Sequence, residues 1–88
     1  MRRRVIVHGR VQGVGFRVTI ARAAQLRGVA GWVRNRPDGS VEAVFEGEPE
    51  AVESMVRICT EGPRLADVTA AEVVDEEPEG LERFEIRH

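Results

Sequence analysis

The chain has 88 residues, a length that suits one domain with one modest hydrophobic core. Apolar residues make up 42% and charged residues 32%, as in soluble globular proteins, and no stretch approaches the ~20 apolar residues that a membrane-spanning helix needs. The net charge is only −2, but residues 1–36 hold nine arginines and no acid, whereas residues 37–88 hold four arginines and fifteen acids. Either the first half of the chain attracts an anion, or the charges of the two halves pair in space.

The first third of the chain predicts a strand, a loop and a helix. Residues Arg4 to His8 alternate in a run of β-branched side chains, which favours a strand. A glycine-bearing loop follows, from Gly9 to Gly15. From Phe16 onward apolar residues recur at helical spacing, and Gly28 is a typical residue after a helix end.

The middle of the chain predicts a hairpin and a second helix. Two strands, Ala30 to Arg36 and Ser40 to Gly47, are joined by a Pro-Asp-Gly segment suited to a tight turn. Pro49 can open a helix at its first turn, and an apolar stripe with helical spacing continues to the residues before Gly62.

Two further strands are predicted near the carboxyl end, Ala66 to Val74 and Arg83 to Arg87, separated by an acidic turn from Asp75 to Gly80. The order β-α-β-β-α-β plus a short last strand predicts an α+β fold of the ferredoxin-like, split β-α-β kind. In this fold an antiparallel sheet carries two helices on one face. We expect residues 1–88 to form a single domain.

The loop from Gly9 to Arg17 is the strongest candidate for chemistry. It lies between a strand and a helix start, where backbone N–H groups can turn inward and the helix dipole favours an anion. Arg17, in the first helical turn, can add charge-assisted hydrogen bonds to phosphate oxygens. Three known phosphate loops do not fit. No Gly-Lys-Ser/Thr is present, Val18 stands where the dinucleotide fingerprint needs a small residue, and Val11 stands where cysteine-dependent phosphatases carry their nucleophile.

Two longer motifs carry a family resemblance. The segment GRVQGVGFR at residues 9–17 and the segment GWVRNRPDGSVE at residues 31–42 together resemble the acylphosphatase family, and the similarity extends over essentially the whole chain. The resemblance implies hydrolysis of the carboxyl–phosphate bond of acyl phosphates without metal or cofactor. It also implies that Arg17 binds the phosphate and that Asn35 positions the attacking water. The backbone amides implied as the phosphate cradle are those of Gln12, Gly13, Val14, Gly15, Phe16 and Arg17.

The chemistry of the substrate agrees with so sparse a site. The leaving group of an acyl phosphate is a carboxylate, whose conjugate acid has a pKa of about 4, so its departure needs no general acid. Phosphoryl transfer depends mainly on positioning and on stabilising the equatorial oxygens. Separately, the side chain of Gln12 is expected to close the loop rather than to take part in the reaction.

The remaining candidate residues have structural interpretations. His8 and His88 are expected to have no catalytic role, Cys59 belongs to the apolar stripe of the second helix, and Trp32 is expected to pack on a strand. One cysteine and two histidines do not make a structural zinc site. With no apolar segment behind the basic amino terminus, we expect a cytoplasmic protein. We also expect it to act as a monomer.

Two other functions remain open at this point. RNA-recognition domains share the topology, but they stack bases on strand aromatics, and this chain has three phenylalanines, one tryptophan and no tyrosine. The chain could also bind an anion without turnover, as an accessory domain. The preferred hypothesis is an acylphosphatase that acts on a small-molecule acyl phosphate, whose site phosphate or sulfate can occupy, and that binds neither nucleic acid nor membrane.

Overall fold

The computed structural model describes residues 1–88 as one five-stranded sheet with two helices. The strands are β1 (Arg2–Arg10), β2 (Ala30–Asn35), β3 (Val41–Glu46), β4 (Asp67–Glu76) and β5 (Phe84–Arg87), and the helices are α1 (Phe16–Leu26) and α2 (Pro49–Glu61). Each predicted element is present. Strand β1 is longer than predicted at both ends, and β4 continues into the segment predicted as an acidic turn.

The sheet has the strand order β4-β1-β3-β2-β5, which confirms the ferredoxin-like fold. Neighbouring strands are antiparallel from β4 to β2, as predicted. The last strand differs, because β5 pairs with β2 in parallel. The reason is topological: the chain reverses direction after β4 and crosses to the far edge of the sheet, so β5 runs opposite to β4 and therefore in the same direction as β1 and β2.

The hydrophobic core lies between the sheet and the two helices. Strand β1 contributes Val5 and Val7, α1 contributes Phe16 and Ile20, and sixteen buried residues form the cluster in all. Burying a side chain of this size contributes about 1.5–3 kcal/mol relative to leaving it exposed. Because Phe16 is both the first residue of α1 and 2% exposed, the core fixes the start of this helix against the sheet.

The opposite face of the sheet carries an ion-pair network, which we call the outer-face network: Arg2, Arg4, Arg34, Glu42, Glu46 and Glu76. Nη1 of Arg2 lies 2.6 Å from Oε2 of Glu46, and Nε of Arg4 lies 2.7 Å from Oε2 of Glu76. The basic and acidic halves of the chain therefore pair in space at these positions. Glu76 was predicted to lie in a solvated turn, and that prediction is wrong, because the residue ends β4 and binds two arginines.

Two glutamates of β3 are buried within this network. Burial alone raises the pKa of Glu42, but hydrogen bonds from Arg34 and Arg4 outweigh it and hold the pKa below its ordinary value. Glu46 accepts hydrogen bonds from the backbone N–H groups of Glu79, Gly80 and Leu81 at 2.9, 3.1 and 3.1 Å. Glu46 thereby holds the segment that leads the chain across to β5.

Candidate functional site

The loop between β1 and α1 owes its shape to glycines with positive φ. Gly13 has φ 75° and Gly15 has φ 73°, while the non-glycine residues around them all have negative φ. Such alternation of backbone handedness turns successive N–H groups toward a common point and forms an anion-binding concavity. A Cβ atom at either glycine would meet nothing within 4 Å. Glycine is favoured at these positions because of the positive φ and not because of crowding.

The backbone donors of this loop are unused within the chain. None of the N–H groups of residues 12–18 donates to a backbone carbonyl, and the hydrogen bonds of α1 begin only with the N–H of Thr19, which donates to the carbonyl of Gly15 at 3.1 Å. Gly15 occupies the N-cap position and has no side chain to satisfy these donors. The first turn of α1 also has no acidic residue, so the positive end of the helix dipole is not neutralised.

These elements border a cleft of about 110 Å³. Its lining consists of Val11, Gly13, Gly15, Phe16, Arg17, Val18 and Asn35. The structure therefore brings Arg17 and Asn35 to one cleft although 17 residues separate them in sequence. Of the other predicted site residues, Gly13, Gly15 and Phe16 line the cleft as well, whereas Gln12 and Val14 lie in the loop outside the lining.

Arg17 enters the cleft from the first turn of α1 and is half-buried. One nitrogen of its guanidinium, Nη1, donates to the backbone carbonyl of Arg87 at 3.2 Å and lies 3.4 Å from Nδ1 of His88. No carboxylate pairs with this guanidinium, so its charge is not neutralised within the chain. The sequence did not reveal the contact with residues 87 and 88, because a pairing across 70 positions leaves no local pattern.

Asn35 is the last residue of β2 and is half-buried. Its backbone is held in register opposite Val41, and the turn beyond it is closed by the N–H of Arg36, which donates to the carbonyl of Ser40 at 2.9 Å. The hydrogen bonds around this turn involve neighbouring residues and leave the Asn35 carboxamide without a partner in the chain. The side-chain amide is free to bind a ligand or water in the cleft.

The side chain of Gln12 crosses from the loop to the β2–β3 turn. Its Nε2 atom donates to the carbonyl of Arg36 at 2.8 Å and to the carbonyl of Ser40 at 2.9 Å. The predicted loop-closing contact is therefore present, although the sequence did not show to which carbonyls the side chain would donate.

The other chemically active side chains lie outside the cleft. Burial raises the pKa of the Cys59 thiol to about 12, so a thiolate does not form there at neutral pH. His8 lies on the outer face of the sheet with its Nε2 atom 2.8 Å from Glu72. The chain contains no group of three or more His, Cys, Asp or Glu side chains arranged to hold a metal ion. Neither helix has the length and apolar character required to span a bilayer.

The fold and the cleft define an α+β protein in which a loop of unused backbone donors lies at the start of the first helix. Comparison with known proteins adds the family. The acylphosphatase family model matches residues 3–86. An acylphosphatase of Thermococcus kodakarensis is 59% identical over 80 residues, covering 91% of this chain and 88% of that protein, and one of Haloarcula marismortui is 56% identical over 86 residues, covering 98% and 94%.

The structural comparison agrees with the sequence comparison. The crystal structure of an acylphosphatase from Bacillus subtilis superposes with a TM-score of 0.92 at 43% identity, covering 99% of this chain and 98% of that one. This chain belongs to the acylphosphatase family, as the two sequence motifs predicted. It is accordingly a hydrolase of acyl phosphates.

Proposed function

We propose that the chain hydrolyses acyl phosphates by direct attack of water on phosphorus. The backbone amides of residues 12–17 and the guanidinium of Arg17 hold the phosphoryl group, and Asn35 orients the water. The observation that carries this proposal is the convergence, in one cleft, of backbone donors without acceptors, a guanidinium without a carboxylate partner and a carboxamide without a hydrogen bond.

The phosphoryl group matches these donors in charge and number. Backbone N–H groups at a helix start combine with the helix dipole to favour an anion, and a guanidinium can donate two parallel hydrogen bonds to phosphate oxygens. Nη1 of Arg17 is held by the carbonyl of Arg87, which leaves the other guanidinium nitrogens for the ligand. Donors fixed in place before the reaction stabilise the charge on the equatorial oxygens without reorganising.

The lining of the cleft supports direct attack by water rather than a covalent intermediate. It contains no serine, threonine, cysteine, histidine or carboxylate, which are the usual nucleophiles. Asn35 supplies the one side-chain amide, which can accept a hydrogen bond from water through its oxygen and donate to phosphate through its nitrogen. The departing carboxylate needs no proton, so the absence of an acid from the lining is compatible with turnover.

The size of the cleft indicates which part of the substrate the protein recognises. Pockets that enclose drug-sized ligands measure about 300–1,000 Å³, and this cleft is only about 110 Å³. It accommodates a phosphoryl group and leaves the acyl portion outside. We therefore propose loose selectivity among small-molecule acyl phosphates, with inorganic phosphate or sulfate able to occupy the cleft.

The biological setting is part of the same proposal: a single-domain cytoplasmic monomer that does not bind nucleic acid. The outer face of the sheet argues against nucleic acid, because Trp32 is only 8% exposed and the Arg87 guanidinium lies 4.7 Å from its ring centroid. A base would have to displace this arginine before stacking on the indole.

The test is hydrolysis of benzoyl phosphate in water labelled with heavy oxygen, with a chelator present. Attack on phosphorus places the label in the released phosphate, whereas attack on the carbonyl carbon places it in benzoate. Protein quenched with acid during turnover should carry no phosphate. Label in benzoate, or phosphate bound covalently to the protein, would contradict direct attack by water on phosphorus. Phosphate binding without any hydrolysis would favour the accessory-domain hypothesis instead.

A further inference from the structure

The side chain of Gln12 connects the phosphate-binding loop to the β2–β3 turn, two parts of the chain whose relative position matters for the proposed reaction. The loop carries the phosphate-binding amides, and the β2–β3 turn follows directly after Asn35. No backbone hydrogen bond connects residues 11–15 with residues 36–40, so the two bonds from Gln12 are the hydrogen bonds that span this gap.

The bonded carbonyls are well placed to fix Asn35. The carbonyl of Arg36 lies one residue beyond Asn35 in the chain. The carbonyl of Ser40 also accepts the N–H of Arg36 at 2.9 Å, so Gln12 binds the pair of strands at the point where the hairpin closes. Both N–H donors of the carboxamide are used in this way, which fixes the orientation of its plane as well as its distance from the turn.

We propose that the Gln12 side chain is a positioning residue that sets the Asn35 carboxamide at its working distance from the phosphate-binding loop. This inference rests on the proposed role of Asn35. The Gln12 side chain acts through Asn35 and does not touch the reacting atoms, because its donors are occupied by backbone carbonyls and it lies outside the lining of the cleft. A misplacement of about 1 Å between reacting groups can lower a rate by about 10²-fold, so a loosened turn should reduce kcat.

The first experiment replaces the two donors with a carboxylate of the same length. In Gln12→Glu the backbone amide of residue 12 is retained, but at neutral pH the introduced carboxylate faces two carbonyl oxygens and repels them. We expect kcat for benzoyl phosphate to fall about 10- to 100-fold, while the inhibition constant of inorganic phosphate changes little, because the loop amides and Arg17 are unchanged. Gln12→Met, a variant of similar size without hydrogen-bond donors, should show a loss of kcat that does not change with pH.

Acidification should partly restore the glutamate variant. A glutamate has an ordinary pKa of about 4.3, and two facing carbonyls raise it. Lowering the pH from about 8 to about 5 therefore increases the fraction of the carboxyl group that carries a proton and can donate it to one carbonyl. The readout is the ratio of variant kcat to native kcat at each pH, in which the titration of surrounding groups cancels. The charged or titratable side chains of residues 8–17 and of residues 36–40 in the β2–β3 turn are His8, Arg10, Arg17, Arg36 and Asp38. Hydrogen bonds from Ser40 lower the pKa of Asp38, so this carboxylate stays ionised across the range.

The second experiment tests whether Gln12 acts through Asn35. If it does, the loss caused by Gln12→Met should largely disappear in an Asn35→Ala background, since the group being positioned is already missing. Gln25→Glu, a matched exchange on the exposed face of α1, should leave kcat and its pH dependence unchanged.

The outcomes separate this inference from the proposed function. Full additivity of Gln12→Met and Asn35→Ala, or a Gln12→Glu ratio that does not change with pH, would overturn the positioning role while Asn35 keeps its own. Normal turnover by Asn35→Ala would instead remove the proposed role of Asn35. A purely structural role for Gln12 would lower the melting temperature without producing pH-dependent recovery of kcat.

Discussion

Arg4 and Arg17 carry the same guanidinium group, but only Arg4 is paired with carboxylates. On the outer face of the sheet, Arg4 donates to Glu76 and Glu42. At the start of α1, Arg17 donates to a backbone carbonyl and has no carboxylate partner. The difference separates a charge that contributes to the fold from a charge that is available to a ligand.

The backbone shows the same contrast. The segment beyond β4 has its N–H groups satisfied by the Glu46 carboxylate, whereas the N–H groups of residues 12–18 have no such acceptor. Burial holds the pKa of Glu46 up, but hydrogen bonds from the backbone and from Arg2 outweigh it and lower the pKa overall. The protein thus supplies its own anion at one set of donors and leaves the other set for an external anion.

The largest expected effect tests the unpaired arginine. Arg17→Ala should lower kcat/KM by about 10³-fold or more, because it removes a charge-assisted contact to phosphate in both ground state and transition state. Stability should change little, since the lost contact to Arg87 is at the surface. Steady-state kinetics with benzoyl phosphate provide the measurement. Arg22→Ala, an exposed arginine of the same helix, is the matched control and should retain activity.

The next effect concerns turnover alone. Asn35→Ala should lower kcat by about 10² to 10³, the scale of one preorganised contact, with little change in KM. The melting temperature should stay near that of the native protein, because the side chain makes no hydrogen bond within the chain. A large rise in KM with normal kcat would show that Asn35 binds phosphate rather than water.

On the outer face the expected effect is on stability and not on rate. Glu42→Gln removes the carboxylate that Arg4 and Arg34 share. Because Arg34 is about half exposed and Arg4 keeps its ion pair with Glu76, the expected loss of stability is about 1–3 kcal/mol. Urea unfolding should show the loss, while kcat for benzoyl phosphate at a temperature where the variant is folded should be unchanged. Reduced turnover by folded protein would mean that the two regions are coupled.

The stabilising contribution of Glu42 should depend on pH, and the direction of that dependence follows from its pKa. Because the pKa of Glu42 is lowered on folding, its contribution is present above the unfolded-state pKa of about 4.3 and is lost as the pH falls through the lower folded-state pKa. Native protein should therefore lose free energy of unfolding on acidification in this range. Glu42→Gln should lose less, since it has already lost that contribution.

The smallest effect tests the shape of the loop. Gly15→Ala places a Cβ on a residue with φ 73°, which costs about 1–2 kcal/mol of strain although the space is open. Gly28→Ala is a matched control with φ 67° and the same open surroundings, and it should be destabilised to a similar degree. Only Gly15→Ala should also weaken phosphate binding. Equal activity of the two variants would remove the argument that the loop conformation forms the anion site.

The helices and strands were predictable because each is specified by residues that are close together in sequence. The β-branched run around Val5, the helical spacing after Phe16 and the turn before Ser40 each depend on neighbours in sequence. The parallel placement of β5 was not predicted, because strand pairing depends on where the connecting segment goes. That segment is held by Glu46, a residue more than 30 positions away from it.

For the candidate site, the sequence by itself determined the type of loop, the glycines that give its backbone alternating handedness, and the presence of Arg17 at a helix start. The tertiary structure alone decided which arginines are neutralised, that Asn35 shares a cleft with the loop, and that Gln12 bridges the loop to the adjacent turn. The physical reason is the distance along the sequence over which each property is determined. Backbone conformation follows from a few adjacent residues, whereas the pairing or freedom of a charge depends on which distant groups the fold places within hydrogen-bonding distance.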